Sequence, residues 1–325
     1  MSRSAPVQQR PAQPGPLAAT DGDFVPIPSC QLCGSTRRSL MFAEPPFEVL
    51  RCTDCDFVYV TPRLRGEALA KVYGESYWKS DNPKLHGYAD YAREASLYLK
   101  TFRLRMRFVR RWLQPGCRVL DIGCAAGYFL QVMHDEGCEV LGVEPSEPIA
   151  RIAAATLGPE RVHVGDLETA PEDKGYRPGS FDMVTLWDVI EHCPDPQSVL
   201  RRAHQLLKPG GVLLLETQNV ASRWARLLGP RWHHYKHHEH LYHFQPSTIR
   251  RVLAETGFEV EHCGASYAGK YVSFGFIAER AGRLGPLTGL LFRPLALVSN
   301  WNLYVNPRDE MIVVARRRET GNQDR

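Results

Sequence analysis

Four groups of residues in this chain of 325 have types and spacings that could do chemistry. Two Cys-x-x-Cys pairs, Cys30/Cys33 and Cys52/Cys55, stand eighteen residues apart. Four thiolates close a tetrahedron around a divalent ion and leave no position open, so an ion there would be structural zinc. A ribbon that has lost its metal is the alternative. The second group is a turn, Asp121, Ile122, Gly123, Cys124, Ala125, Ala126, Gly127, Tyr128. Val119, Leu120 and Ile122 bring a buried strand into it. Gly123 and Gly127 allow tight backbone geometry and close approach of a ligand. The helix that follows offers free N–H groups at its start. The third group is the run Trp187, Asp188, Val189, Ile190, Glu191, His192, and the fourth is six histidines in eleven positions, 233–243.

The turn has neither the G-x-G-x-x-G spacing of a dinucleotide site nor the G-x-x-x-x-G-K-[ST] of a phosphate loop. Instead Asp121 precedes Gly123 by two residues. A carboxylate there repels phosphate and suits a cation. S-adenosylmethionine, with its sulfonium and amino group, fits. Glu144 ends the next strand, twenty-three residues after Asp121, where a carboxylate can accept both hydroxyls of a ribose.

These residues carry a family resemblance. Asp121 to Gly127 resembles the first motif of class I S-adenosylmethionine-dependent methyltransferases, usually D-x-G-x-G-x-G, with Ala125 in place of the middle glycine. The resemblance implies a cofactor site made of Asp121, Gly123, Cys124, Ala125, Gly127, Tyr128, Glu144 and Pro145. It further implies that Asp166 receives the adenine amino group, that Leu167 packs on the ring, and that Trp187 and Asp188 border the ligand. The run from Trp187 to His192 resembles that of ubiquinone-type O-methyltransferases. His192 is the first candidate for a general base, since imidazole titrates near neutrality; a structural histidine bonded to backbone is the alternative. Glu191 could orient it, bind a metal or cap a helix. The [DN]-P-P-[YFW] motif is absent, which counts against a nitrogen of adenine or an amide as acceptor. Leu207, Lys208, Pro209, Gly210 and Gly211 resemble the family's L-K-P-G-G turn before the fifth strand.

The histidine-rich segment reads as an acceptor site, in which imidazoles bind hydroxyls and one takes a proton. A metal or a merely polar loop are the other readings, and the H-E-x-x-H spacing is missing. By resemblance, residues 239–244 lie over the acceptor pocket, and His240 is the second candidate base. Ser247 is the expected cap of the helix that follows.

The elements that must position these groups alternate between strand-like and helix-like, which predicts an α/β fold with a parallel sheet. Candidate strands are 117–122, 139–144, 161–164, 181–187, 212–217, 258–261 and 311–315. Their order resembles the Rossmann-like seven-stranded methyltransferase sheet, whose last strand inserts antiparallel beside the fifth. The expected plan is a disordered tail (1–24), a small N-terminal zinc ribbon (25–62), a helical cap or linker (63–113), and a methyltransferase domain (114–318) with insertions at 220–246 and 266–308.

Composition narrows the reading further. Hydrophobic residues make up 43% of the chain, enough for an ordinary core. A net charge of +4 is too small to single out nucleic acid as a partner. Nine cysteines, an odd number, favour a reducing, cytoplasmic setting over a disulfide framework. The N-terminus lacks the apolar core of a signal peptide, and no run of eighteen apolar residues occurs. Residues 101–112 form a basic amphipathic helix. Its arginines (103, 105, 107, 110 and 111) read as a solvated face, with nucleic-acid contact as the alternative. Residues 284–305 are apolar but broken by prolines and glycines. They read as a lid, a dimer surface, a peripheral membrane contact or ordinary core. The reaction expected is methyl transfer to a small-molecule, sugar (glycan) or lipid-linked acceptor, foremost on oxygen. Carbon stays open, because zinc-ribbon sugar C-methyltransferases look similar at the N-terminus; this chain is shorter and lacks their extra C-terminal domain. An RNA methyltransferase and a non-catalytic S-adenosylmethionine-binding scaffold are the competing readings.

Overall fold

The structure is a computed structural model that describes residues 21–79 and 91–318. The expected tail lies outside the described residues as far as position 20. Its last part is ordered: Asp21–Asp23 forms a 3-10 turn, and β1 (Phe24–Val25) pairs antiparallel with Arg63–Leu64. Next come β2 (Arg38–Glu44), β3 (Phe47–Cys52), β4 (Val58–Thr61) and that partner of β1, β5 (Arg63–Leu64). Alternation along β3 sends Phe47 and Val49 to one face and Leu50 and Cys52 to the core. Helices α1 (Gly66–Val72), α2 (Glu75–Trp78) and α3 (Ala95–Val109) lead into the main domain.

Helix α3 corrects one expectation. Phe102, Met106 and Val109 are buried as an amphipathic stripe requires, but Arg105 is buried with them. Arg103 and Arg110 do stay on the surface, facing Asp135 and Glu136.

The main sheet contains β6 (Arg118–Ile122), β7 (Glu139–Glu144), β8 (Val162–Val164), β9 (Phe181–Trp187) and β10 (Leu207–Gln218). They are joined by α4 (Tyr128–Asp135), α5 (Glu147–Leu157) and α6 (Pro196–Leu206). These parallel strands are continuous apolar runs because helices cover both faces. After α7 (Arg223–Leu228) come β11 (Tyr242–His243), α8 (Pro246–Glu255) and β12 (Phe258–Gly264). An arm follows: β13 (Lys270–Ser273), α9 (Phe274–Leu284), α10 (Pro286–Phe292) and β14 (Asn302–Val305). The chain then returns in β15 (Glu310–Arg317).

The seven-stranded order is β12-β15-β10-β9-β6-β7-β8, with β15 antiparallel between β10 and β12. This is the expected fold. The chain leaves β6 toward β7 on one side and re-enters at β9 on the other, so a ligand crevice opens at the carboxyl ends of β6 and β9. Two local expectations differ. Residues 208–211 are absorbed into the start of β10 as an irregularity between Leu207 and Val212. Ser247 does not cap α8; Gln245 and Thr248 exchange the capping bonds, because the extended residue before Pro246 is Gln245.

The ribbon is fused to this domain. Strand β11 pairs with β4, Tyr242 opposite Tyr59 and His243 opposite Val58, and so completes a four-stranded ribbon sheet. One face of that sheet packs on Leu241, Tyr242 and Phe244 in the main core, and the other on Trp232 and Tyr235. In the arm, Leu287, Leu290, Leu291, Leu297 and Trp301 are exposed. Among the described residues no helix is long and apolar enough to cross a membrane.

Candidate active site

The turn after β6 is held by β7. The Gly123 and Cys124 N–H groups donate to the Val143 carbonyl, and the Glu144 carboxylate accepts from Ala125 N at 2.9 Å and Ser146 N at 2.8 Å. Gly123 has φ +70°, and a Cβ there would lie 2.6 Å from the Val189 side chain. Ala125 keeps the left-handed backbone of the glycine it replaces, φ +47°, at a cost of about 1–2 kcal/mol.

Gly123, Ala125, Glu144, Pro145, Asp166, Leu167, Trp187 and Asp188 line a cleft of about 2630 Å³. Asp121 is buried and accepts from Thr185 Oγ1 at 2.6 Å. Burial, with Glu144 nearby, pushes its carboxyl up to about 8, and burial pushes Glu144 up to about 7. Two adjacent buried carboxyls with this bias are matched by a cationic ligand. Three expected contacts face elsewhere. The Cys124 side chain packs on Gly142, Gly127 abuts Ala153 and Leu157, and the Tyr128 ring stacks on Tyr91 and Tyr98. Their contribution to a ligand is therefore through backbone and turn shape.

In the same cleft the His192 and His240 rings meet at 4.7 Å, nearly perpendicular. His192 Nδ1 lies 2.8 Å from Tyr73 Oη and 3.0 Å from the Glu239 carbonyl. A carbonyl can only accept, so the Glu239 contact is a hydrogen bond in the tautomer protonated at Nδ1, where Tyr73 Oη accepts as well and the lone pair is on Nε2. Burial holds His192 below the ordinary imidazole range. Burial and the neighbouring His192 hold His240 well below it. Both rings are neutral at pH 7. Glu191 does not orient His192. It accepts from Thr217 Oγ1 at 2.9 Å, and burial with Asp188 pushes its carboxyl well above the usual range. Its other role stays geometrically open, since one ligand atom each of Glu191, His192 and His240 lie within 4.8 Å of one another.

The histidine segment divides. His237 faces Glu44 of the ribbon at 3.5 Å, and His243 is fully buried beside Gln218. His237 still reaches the cleft wall, which His233, His234, His238 and His240 line with it. The four ribbon sulfurs also lie within 4.8 Å of one another, with Cys30–Cys55 and Cys33–Cys52 at 3.5 Å.

The same cleft holds a charge network with no sequence motif. Arg105 makes a bidentate pair with Glu216 at 2.6 and 2.8 Å, its guanidinium 4.9 Å from the Trp187 ring. Lys270 donates to Asp188 and Glu310, each at 2.8 Å. Burial works against ionisation of Asp188, yet the Lys270 charge holds its carboxyl below the usual range. Tyr73 and Lys270 lie in stretches without a recognisable pattern. Arg105 and Glu216 did leave a signal: each is a lone charge on an otherwise apolar face.

Comparison with known proteins agrees with this fold. The family model described as "Methyltransferase domain" matches residues 91–263, more than half of the chain. A ubiquinone biosynthesis O-methyltransferase of Xanthomonas campestris pv. campestris is 37% identical over 134 residues, covering 38% of this chain and 56% of that protein. The chain thus spans little more than half the length of that relative. A protein of the same description from Xanthomonas euvesicatoria pv. vesicatoria is 32% identical over 171 residues, covering 49% of this chain and 70% of its own. Among solved structures, a chain from the complex of the Haloferax volcanii Trm112 methyltransferase activator with a methyltransferase superposes with TM-score 0.50 at 17% identity. It covers 79% of this chain and 100% of its own, a likeness of fold.

Proposed function

Because the chain belongs to the class I S-adenosylmethionine-dependent methyltransferases, we propose that it methylates an oxygen of a small-molecule, sugar or lipid-linked acceptor. The observation that carries this is the pair of neutral imidazoles, His192 and His240, in the same cleft as Glu144 and Asp166. S-adenosylmethionine supplies an electrophilic methyl group. The acceptor oxygen forms the new C–O bond as the C–S bond breaks, and its proton passes to His192 or His240. Positioning in the cleft supplies much of the rate, and the base the rest. The O-methyltransferase description of the relatives supports oxygen as the acceptor atom.

The RNA reading is weakened by the fold. Arg105 is buried, and Arg103 and Arg110 already face carboxylates. The arm supports an apolar or lipid-linked acceptor. Phe276, Ile277 and Phe292 line the cleft, while Leu287, Leu290, Leu291 and Leu297 offer a surface to a bilayer or a second copy of the chain. The four ribbon cysteines fit structural zinc. Burial without an ion pushes the Cys30 thiol up to about 11, and a zinc ion would hold the set as thiolates. Thiols kept for an ion suit a reducing cytoplasm.

The test is incubation of the purified chain and methyl-labelled S-adenosylmethionine with an extract of the source cells. Label is expected in metabolites, glycans or lipids; label in RNA alone would overturn the reading. Cofactor affinity supplies a second check. Below about pH 7 for Glu144 and pH 8 for Asp121 the carboxyls are protonated in the free protein and must ionise, Glu144 to accept the ribose hydroxyls and Asp121 to face the cation. Binding therefore releases protons and weakens as pH falls. Kd measured by calorimetry should rise roughly tenfold from pH 8 to pH 6 for Glu144 alone, and further if Asp121 joins. Glu144→Gln should flatten the dependence.

A further inference from the structure

We propose that His233, His234 and Asp309 form a metal site for a divalent transition ion, separate from the ribbon cysteines and from Glu191, His192 and His240. His234 is 9% exposed, and its buried Nε2 makes no hydrogen bond. An imidazole nitrogen in that state costs free energy unless something fills its lone-pair direction. His233 Nε2 and His234 Nε2 each lie 3.7 Å from Asp309 Oδ2, and one ligand atom from each of the three lies within 4.8 Å of the others. That is too long for an N–H···O bond. It is close to the spacing of two donors sharing one ion, because bonds of about 2.0–2.1 Å at a tetrahedral angle put them roughly 3.3–3.5 Å apart.

The chemistry of the set agrees. Asp309 is buried, and its Oδ2 accepts from Trp232 Nε1 at 2.9 Å, the kind of outer bond that orients a ligating carboxylate. Glu310 Oε1 also lies 3.7 Å from His234 Nε2, but it is engaged by Lys270 at 2.8 Å and is left out of the set. Two imidazoles and one carboxylate suit zinc or a similar first-row ion. Three protein ligands leave a position open, and His233 and Asp309 both line the cleft, where an acceptor oxygen could take it.

The experiment titrates the full chain, its ribbon loaded with zinc, with Co²⁺. The wild type is expected to bind one further cobalt per chain, seen as visible d–d absorption without growth of the thiolate-to-cobalt band. His233→Ala and Asp309→Asn should each weaken that binding at least about tenfold. His192→Ala and His240→Ala should retain it. The His233 side chain is half exposed, so its removal leaves the fold in place. Unchanged cobalt affinity in His233→Ala and Asp309→Asn would overturn the proposal. So would loss of the ion in His192→Ala or His240→Ala instead, or no further cobalt bound by the folded wild type.

Discussion

His192→Ala is expected to lower kcat by about 10²- to 10⁴-fold, the range for loss of a positioned general base, with little change in Kd for S-adenosylmethionine. Two features of the ring lead there. The Glu239 carbonyl and Tyr73 hold Nδ1, which frees Nε2. Burial lowers the imidazole's pKa, so the ring is an unprotonated acceptor at neutral pH. The sign follows: protonation disables a base, so the acid limb of the kcat profile lies below the ordinary histidine value of about 6.5. Single-turnover rates over a pH series would measure it. His240→Ala provides the comparison, because the two rings touch. A full effect in His240→Ala with an intact His192→Ala would transfer the role to His240. Wild-type turnover in both would leave the catalysis to positioning alone.

Arg105→Ala should destabilise the fold by about 3–5 kcal/mol, as removal of one partner of a buried ion pair does. For a domain of this size that is a fall in Tm of about 6–20 °C. The cost comes less from the lost attraction than from Glu216, which is left charged and out of water. Burial already biases Glu216 upward, against the pull of Arg105. Without Arg105 its folded-state pKa rises further above the unfolded value. The variant is therefore least impaired below about pH 4 and most impaired above neutrality. Arg105→Met with Glu216→Leu should recover most of the loss, because neither charge is then stranded. A Tm for Arg105→Ala within about 2 °C of wild type would refute this account of the pair.

These two expectations drew differently on the sequence. The core was legible because its elements are local and strongly patterned. The apolar runs at 139–144 and 181–187 became strands with those same ends. The turn from Asp121 to Gly127 lies where a strand enters a helix. Arg105 was read as solvated because charge outweighed position, although it lies three residues after Phe102 and four before Val109, on the buried stripe. The orienting partner of His192 was sought in its chain neighbour Glu191. The folded chain supplies Tyr73 and the Glu239 carbonyl, each from a remote segment. Lys270 and Asp309 reach the cleft only because β13 and β15 return there, and single-sequence spacing carries no trace of that. The union of β11 with the ribbon was missed for the same reason.

That union fixes an order of events during synthesis. The cysteine hairpin leaves the ribosome before the main domain, but the strand that closes its sheet, Tyr242–His243, arrives about 180 residues later, after the whole parallel core has been made. Translation at roughly 5–20 residues per second leaves the free edge of β4 exposed for about 10–40 seconds. The ribbon, made before the parallel core, is therefore finished after it. Over that interval the nascent chain carries an open strand edge of the kind that pairs with wrong partners.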